Sequence, residues 1–165
     1  MKKLNLKQCV DLHLGKRIFI FGTAPTLNDV TQEQIRKIEK EEISLGVNYS
    51  HFALKPTYWI AGGHATQLVA AIENLHEDTT AFFHHDPGMR SLYPDSDRIN
   101  YLIGRSADFT PRPLLRRPSD GVLIGGYNIL LCSSHMAYIM GASEIVYIGF
   151  EQVNRLHYYN FWPQK

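Results

Sequence analysis

The sequence predicts an α/β fold, a mostly parallel sheet with helices on both faces, formed by a single domain over residues 1–165. Three observations carry that expectation. Short apolar runs alternate with helical patterns, as strand–crossover–strand units require. The first run, Arg17-Ile18-Phe19-Ile20-Phe21, shows no polar alternation and so belongs to a strand buried on both faces. It stops at one glycine turn, Gly22-Thr23-Ala24-Pro25-Thr26-Leu27, and a second, Gly125-Gly126-Tyr127-Asn128, opens the last helical stretch.

Each element follows from local chemistry. After the first strand, Thr31 is suited to cap a helix, with Gln34 completing a capping box, so a helix is predicted from Gln32 to Glu42 with Ile35 and Ile38 facing inward. Ile43 to Asn48 reads as the second strand. Lys55-Pro56 breaks the chain before a third, Tyr58 to Ala61. Gly62-Gly63 leads to a helix from His64 to His76 with Leu68, Ala71, Ile72 and Leu75 as its apolar stripe. Thr80 to His84 and Ile99 to Ile103 are two more strands, separated by the turn Asp86-Pro87-Gly88. From Arg105 to Asp120, three prolines and four arginines deny regular structure and predict a long loop. A helix from Tyr127 to Met140, stopped by Gly141, leads into the last strand, Ile145 to Phe150, and an aromatic tail, His157-Tyr158-Tyr159-Asn160-Phe161-Trp162. The first and last strands are both expected in the interior of the sheet.

Composition narrows the function classes. With 44% apolar residues, the 165-residue chain has the makings of a real core. Seventeen basic residues against sixteen acidic ones leave a net charge of +1, which argues against a bulk electrostatic grip on nucleic acid or on an anionic membrane. No stretch approaches a membrane span, and Met1-Lys2-Lys3-Leu4-Asn5 lacks the apolar core of a signal peptide, so a cytoplasmic location is expected. Cys9 and Cys132 are expected as free thiols there.

In parallel sheets ligands bind at the carboxyl ends of strands, where strand order reverses. The Gly22–Thr26 turn is neither a Walker loop nor a dinucleotide fingerprint, since Gly-Lys-Ser/Thr and the later glycines are missing. Gly22, Thr23, Thr26 and Leu27 still offer N–H groups to a phosphate, and the threonines add hydroxyls; the alternative is an ordinary strand-to-helix turn stiffened by Pro25. Asn48 either holds a ribose or phosphate oxygen or bonds its own backbone as a turn residue. Gly125 and Gly126 permit close backbone approach at a helix start, with Asn128 in the first turn, and Arg105, Arg112, Arg116 and Arg117 precede them as anion-closing candidates or as a plain surface loop. His84-His85-Asp86 has metal-ligand residue types but no second pair at ligand spacing, so no metal site is predicted. His135 reads as core or helix surface. His157, beyond the Glu151 strand end and beside Arg155, is the acid–base candidate. Tyr158, Tyr159, Phe161 and Trp162 either stack on a base or sugar, pack on the domain, or form a dimer contact.

The series Gly22-Thr23-Ala24-Pro25-Thr26-Leu27, Gly46-Val47-Asn48, Pro56-Thr57-Tyr58-Trp59, Gly125-Gly126, Ala137 to Ile145 and Ile148-Gly149-Phe150-Glu151 resembles a Rossmann-like superfamily. That superfamily holds bacterial lipooligosaccharide sialyltransferases, flagellin-glycosylation (motility accessory) proteins and archaeal 6-hydroxymethyl-dihydropterin diphosphokinases. In look the chain is most similar to its short phage-encoded members, which would place it in a host cytoplasm. The resemblance spans roughly Arg17 to His157. It implies that the first loop, Asn48 and the Gly125-Gly126 helix start hold the phosphates of a nucleotide or nucleotide sugar. Glu151 stands where relatives carry Asp, which binds a ribose hydroxyl or helps hold Mg²⁺. Thr23-Ala24 departs from the small Asn/Gly-Gly loop of the relatives, and His157 stands in for a catalytic histidine that the sialyltransferases carry further on.

The leading expectation is therefore a glycosyltransferase-like enzyme with a nucleotide-activated donor and a small-molecule or glycan hydroxyl acceptor. His157 would be the base, and Arg105 or Arg116 would face the leaving phosphate. Two alternatives stand beside it. One is an ATP-dependent diphosphokinase, in which Mg²⁺ would be sought at Glu151 with Asp120 or Asp86. The other is a non-catalytic nucleotide-binding or phage assembly protein.

Overall fold

The computed structural model describes residues 4–62, 69, 73–85, 99–105, 123–124 and 129–150. Seven parallel strands form the sheet: β1 (Arg17–Phe21), β2 (Ile43–Val47), β3 (Tyr58–Gly62), β4 (Thr80–His85), β5 (Ile99–Arg105), β6 (Leu123–Ile124) and β7 (Glu144–Ile148). Their order across the sheet is β6-β5-β4-β3-β2-β1-β7. All six neighbouring pairs are parallel, with Phe21 opposite Gly46 in β2 and opposite Ile148 in β7. The α/β Rossmann-like class expected from the sequence is what the chain adopts.

Two helices among the described residues lie on opposite faces. The first, α1 (Gln32–Glu41), begins at Thr31, whose hydroxyl accepts from the Gln34 N–H at 3.2 Å while Gln34 Oε1 accepts from the Thr31 N–H at 2.9 Å. This is the capping box read from the sequence, and it satisfies two of the orphan groups of a helix start. Ile35 buries against Phe21, Leu27 and Leu54, with Phe19 and Ile148 alongside. The second, α2 (Ile129–Ile139), sets Cys132, Met136, Ala137 and Ile139 on the other face, against Ile18, Ile20, Leu45, Val47, Tyr58 and Ile60. β1 thus alternates Ile18 and Ile20 to one layer with Phe19 and Phe21 to the other, which is why it is apolar from Ile18 to Phe21.

Topology explains the two faces. From β1 to β6 the chain steps across the sheet in one direction, and right-handed crossovers in one direction fall on one face. The return from β6 to β7 reverses direction, so α2 falls on the opposite face. It starts beside β6 and packs across β3, β2 and β1. Its far end reaches the amino edge of the sheet, where the Met140 carbonyl accepts from the His13 N–H at 2.8 Å and the Ser143 N–H donates to Lys16 O at 2.9 Å. Eleven helical residues span about 16 Å, close to the length of a five-residue strand, so α2 begins at the carboxyl edge. Leu4, Leu6 and Cys9 complete the layer beneath α2. The Leu4 N–H donates to Asn100 Oδ1 at 2.9 Å, fastening this N-terminal segment to β5.

Three expectations change. β7 is not interior: among the described strands it occupies the edge beyond β1, with Glu144 and Tyr147 exposed. Its apolar residues reach one neighbour only, and that suffices because Ile145 and Ile148 alternate between the two packed layers. Arg105 ends β5 rather than opening a loop, because pairing with Ile124 prolongs the strand. β6, two residues long, carried no periodic signal at all. The helix predicted from His64 to His76 and the turn Asp86-Pro87-Gly88 lie largely or wholly outside the described residues, as does the arginine-rich stretch beyond Arg105. No helix among the described residues is long and apolar enough to cross a membrane. Cys9 and Cys132 are free and buried, and burial pushes their thiols up to about 11 and about 12.

Candidate functional site

Strand order reverses at β1, between β2 on one side and β7 on the other, so the carboxyl ends of these strands are where the fold favours a ligand. Two segments leave the sheet there: residues 22–29 after β1 and the short 3-10 turn Asn48–Phe52 after β2.

The first segment is knitted to β7. The Gly22 N–H donates to Ile148 O at 2.8 Å, and the Ala24 N–H donates to Gly149 O at 2.9 Å. A Cβ on Gly22 would run into the Gly149 carbonyl and stand 3.0 Å from the Phe150 ring, while Gly149 itself has φ +74°. Glycine at both positions is therefore what lets the two chain segments meet backbone to backbone. Beyond it, Pro25–Asp29 forms a 3-10 turn with Pro25 at its start, and the Leu27 N–H donates to Ala24 O at 3.0 Å. Of the donors counted for a phosphate, Gly22 and Leu27 are thus engaged inside the protein. Thr23 is half-buried and Thr26 exposed.

The second segment is built differently. Asn48 sits in the left-handed region at φ 51°, a conformation asparagine tolerates better than most residues. Its backbone carbonyl accepts two hydrogen bonds, from Trp59 Nε1 at 2.6 Å and from His51 Nδ1 at 2.8 Å. A carbonyl only accepts, so the His51 proton is on Nδ1 and Nε2 presents a lone pair. Burial lowers the His51 pKa from its ordinary 6.5, opposed by the bond to the Asn48 carbonyl, which keeps the ring neutral at pH 7. The ring lies tilted against Phe52 at 4.3 Å between centroids and meets Trp59 edge-on at 5.8 Å. Asn48, Ser50 and His51 are all buried, 8%, 0% and 9% exposed. Yet Asn48 Oδ1, Ser50 Oγ and His51 Nε2 have no hydrogen-bond partner among the described residues. Three buried polar atoms left unpaired in one turn are far above the usual incidence.

The expected site residues are distributed as follows. Gly22, Thr23, Thr26 and Asn48 share the carboxyl edge on adjacent strands. Arg105 ends β5 on the same edge, but four strands from β1, about 19 Å at ordinary strand spacing. It and the Gly22 loop are not brought into contact. α2 starts at this edge too, and Gly125, Gly126 and Asn128, which precede it, lie outside the described residues, as do Arg116, Glu151 and His157. No group of three or more His, Cys, Asp or Glu side chains that could hold a metal occurs among the described residues. His135 is buried in α2. His51, Ser50 and Trp59 escaped the sequence argument. The run Asn48-Tyr49-Ser50-His51 directly after a buried strand was the available signal, since polar residues at a strand end in a parallel sheet lie where ligands bind.

No family model, curated protein or solved structure matches the chain.

Proposed function

We propose that the chain binds a nucleotide-activated donor at the carboxyl edge of the sheet and transfers the activated group to a hydroxyl acceptor, as glycosyltransferases do. One observation carries this reading: the reversal of strand order at β1, with the Gly22–Thr26 segment and the Asn48 turn leaving adjacent strands at that point. The start of α2 shares this edge but stands beside β6, away from the reversal. In the transfer, the bond between the sugar and its phosphate breaks, and the nucleotide departs with the electron pair. Arg116 would meet the charge that develops there, and His157 would take the acceptor's proton. Because Gly22 and Leu27 donate within the protein, the phosphate contacts would fall to Thr23 and Thr26.

The test is a thermal melt of the full chain against ATP, CMP, UDP-glucose and GDP-mannose, each with and without Mg²⁺. A ligand at a hundredfold excess over its Kd stabilises by about 2.7 kcal/mol, which a melt resolves. Stabilisation by a sugar nucleotide, followed by turnover that His157→Ala removes, is the expected result. Stabilisation by ATP only with Mg²⁺ would favour the diphosphokinase. No stabilisation by any of the four overturns the proposal. Binding without turnover would instead fit a non-catalytic nucleotide-binding protein, an alternative favoured by the spent donors of the Gly22 segment.

A further inference from the structure

The Asn48–Phe52 turn has a chemical character that its neighbours lack. His51 Nε2 and Asn48 Oδ1 are both acceptors, and Ser50 Oγ is a hydroxyl able to donate or accept. None of the three is paired among the described residues, and all three side chains are more than nine-tenths buried. The tautomer is set from behind, because the Asn48 carbonyl holds the Nδ1 proton, and the ring cannot swing while it is wedged between Phe52 and Trp59. Leaving buried acceptors unpaired carries a desolvation penalty, so a donor-bearing partner is what this turn lacks. Carboxylates and the oxygens of a phosphodiester only accept at pH 7 and would be repelled by two lone pairs. A hydroxyl both donates and accepts.

We propose that the Asn48–Phe52 turn is a hydroxyl-recognition subsite, in which His51 Nε2 and Asn48 Oδ1 accept from neighbouring hydroxyls of a sugar ring and Ser50 Oγ supplies a third polar contact. This rests on the carboxyl edge being the ligand site, and it divides the labour there: the sugar face lies at the β2 turn, and the phosphates lie elsewhere on the edge. The ring is either the ribose of a nucleotide or the sugar to be transferred, which share this chemistry.

The measurement is a long-range ¹H–¹⁵N correlation spectrum of the full chain labelled at histidine, with the His51 signals assigned by their loss in His51→Gln. An unprotonated Nε2 gives a resonance well separated from protonated ring nitrogens, and it moves when a hydroxyl donates to it. Four probes are titrated separately: methyl β-D-ribofuranoside, methyl α-D-glucopyranoside, dimethyl phosphate and methylammonium. We expect one of the two glycosides to move the His51 Nε2 signal, and the arm that responds tells ribose from transferred sugar. Dimethyl phosphate, which carries no donor, should leave it in place, and methylammonium should move it less than the responding glycoside, because it cannot also accept from Ser50 Oγ. Ser50→Ala should weaken the responding glycoside about tenfold. If neither glycoside moves the signal, or if dimethyl phosphate does, or if methylammonium moves it further than either glycoside, the proposal is overturned. The wild-type titrations decide this even where a variant fails to fold. Glycoside binding at His51 without stabilisation by any nucleotide would leave the subsite standing and remove the nucleotide donor. Nucleotide stabilisation with a silent His51 would do the reverse.

Discussion

Two segments leave the sheet side by side and treat their polar groups in opposite ways. After β1, the Gly22 N–H is donated to the last carbonyl of β7 and the Ala24 N–H to that of Gly149 just beyond it, and Leu27 donates back to Ala24. After β2, one carbonyl takes two donors while three buried polar atoms find no partner among the described residues. The first segment is a seam and the second is a reserve of unspent hydrogen-bonding capacity. A glycine turn after a buried strand is therefore a weaker pointer to a ligand than the accounting of donors and acceptors at the strand end. Glycine serves close approach, and the partner can be the protein's own backbone as readily as a phosphate.

The comparison breaks most visibly at Gly22. Gly22→Val drives a branched side chain into the Gly149 carbonyl and the Phe150 ring, and should cost at least about 3 kcal/mol in urea denaturation. Thr23→Ala, one residue on, should change stability by under about 0.5 kcal/mol. Should Gly22→Val melt like the wild type while losing ligand, the seam would be a ligand loop after all.

A smaller effect sharpens the β2 side. Trp59→Phe removes one of the two donors on the Asn48 carbonyl and leaves space beside a fully buried ring, with an expected loss of about 2 kcal/mol. Asn48 itself separates backbone from side chain. Asn48→Ala must hold φ 51° without an asparagine's tolerance, whereas glycine adopts it freely, so the alanine variant should be about 1 kcal/mol less stable than Asn48→Gly. Equal stabilities for the two would mean that the backbone relaxes out of the left-handed region.

The gentlest test is pH. Burial lowers the pKa of His13, His51 and His135 from the ordinary 6.5, so the unfolded chain binds their protons more readily than the folded one. Stability is therefore full above 6.5 and declines as pH falls through 6.5 toward the lowered folded values. Denaturation curves between about pH 5 and pH 8 should show that decline, and His51→Gln should make it shallower. An unchanged slope in His51→Gln would mean that the His51 ring charges in the native state without penalty.

Short-range physics made a large part of this molecule legible. β1 was readable because a strand packed on both faces must be apolar along its buried length, Ile18 to Phe21, and the start of α1 was readable because Thr31 and Gln34 satisfy each other within one turn. What tertiary structure alone decided were matters of distant partnership. Gly149 sits far along the chain from Gly22, and only parallel pairing of β1 with β7 makes them touch. The two-residue β6 exists because the end of β5 offers a ladder to it, and β7 is an edge strand because nothing described pairs beyond it. His51 looked like one more polar turn residue until Trp59 and the Asn48 carbonyl fixed its tautomer and burial left its second nitrogen without a partner. Caps and periodicity are contacts between near neighbours and so are written locally, whereas a spent donor or an unpaired acceptor depends on which distant groups the fold brings alongside.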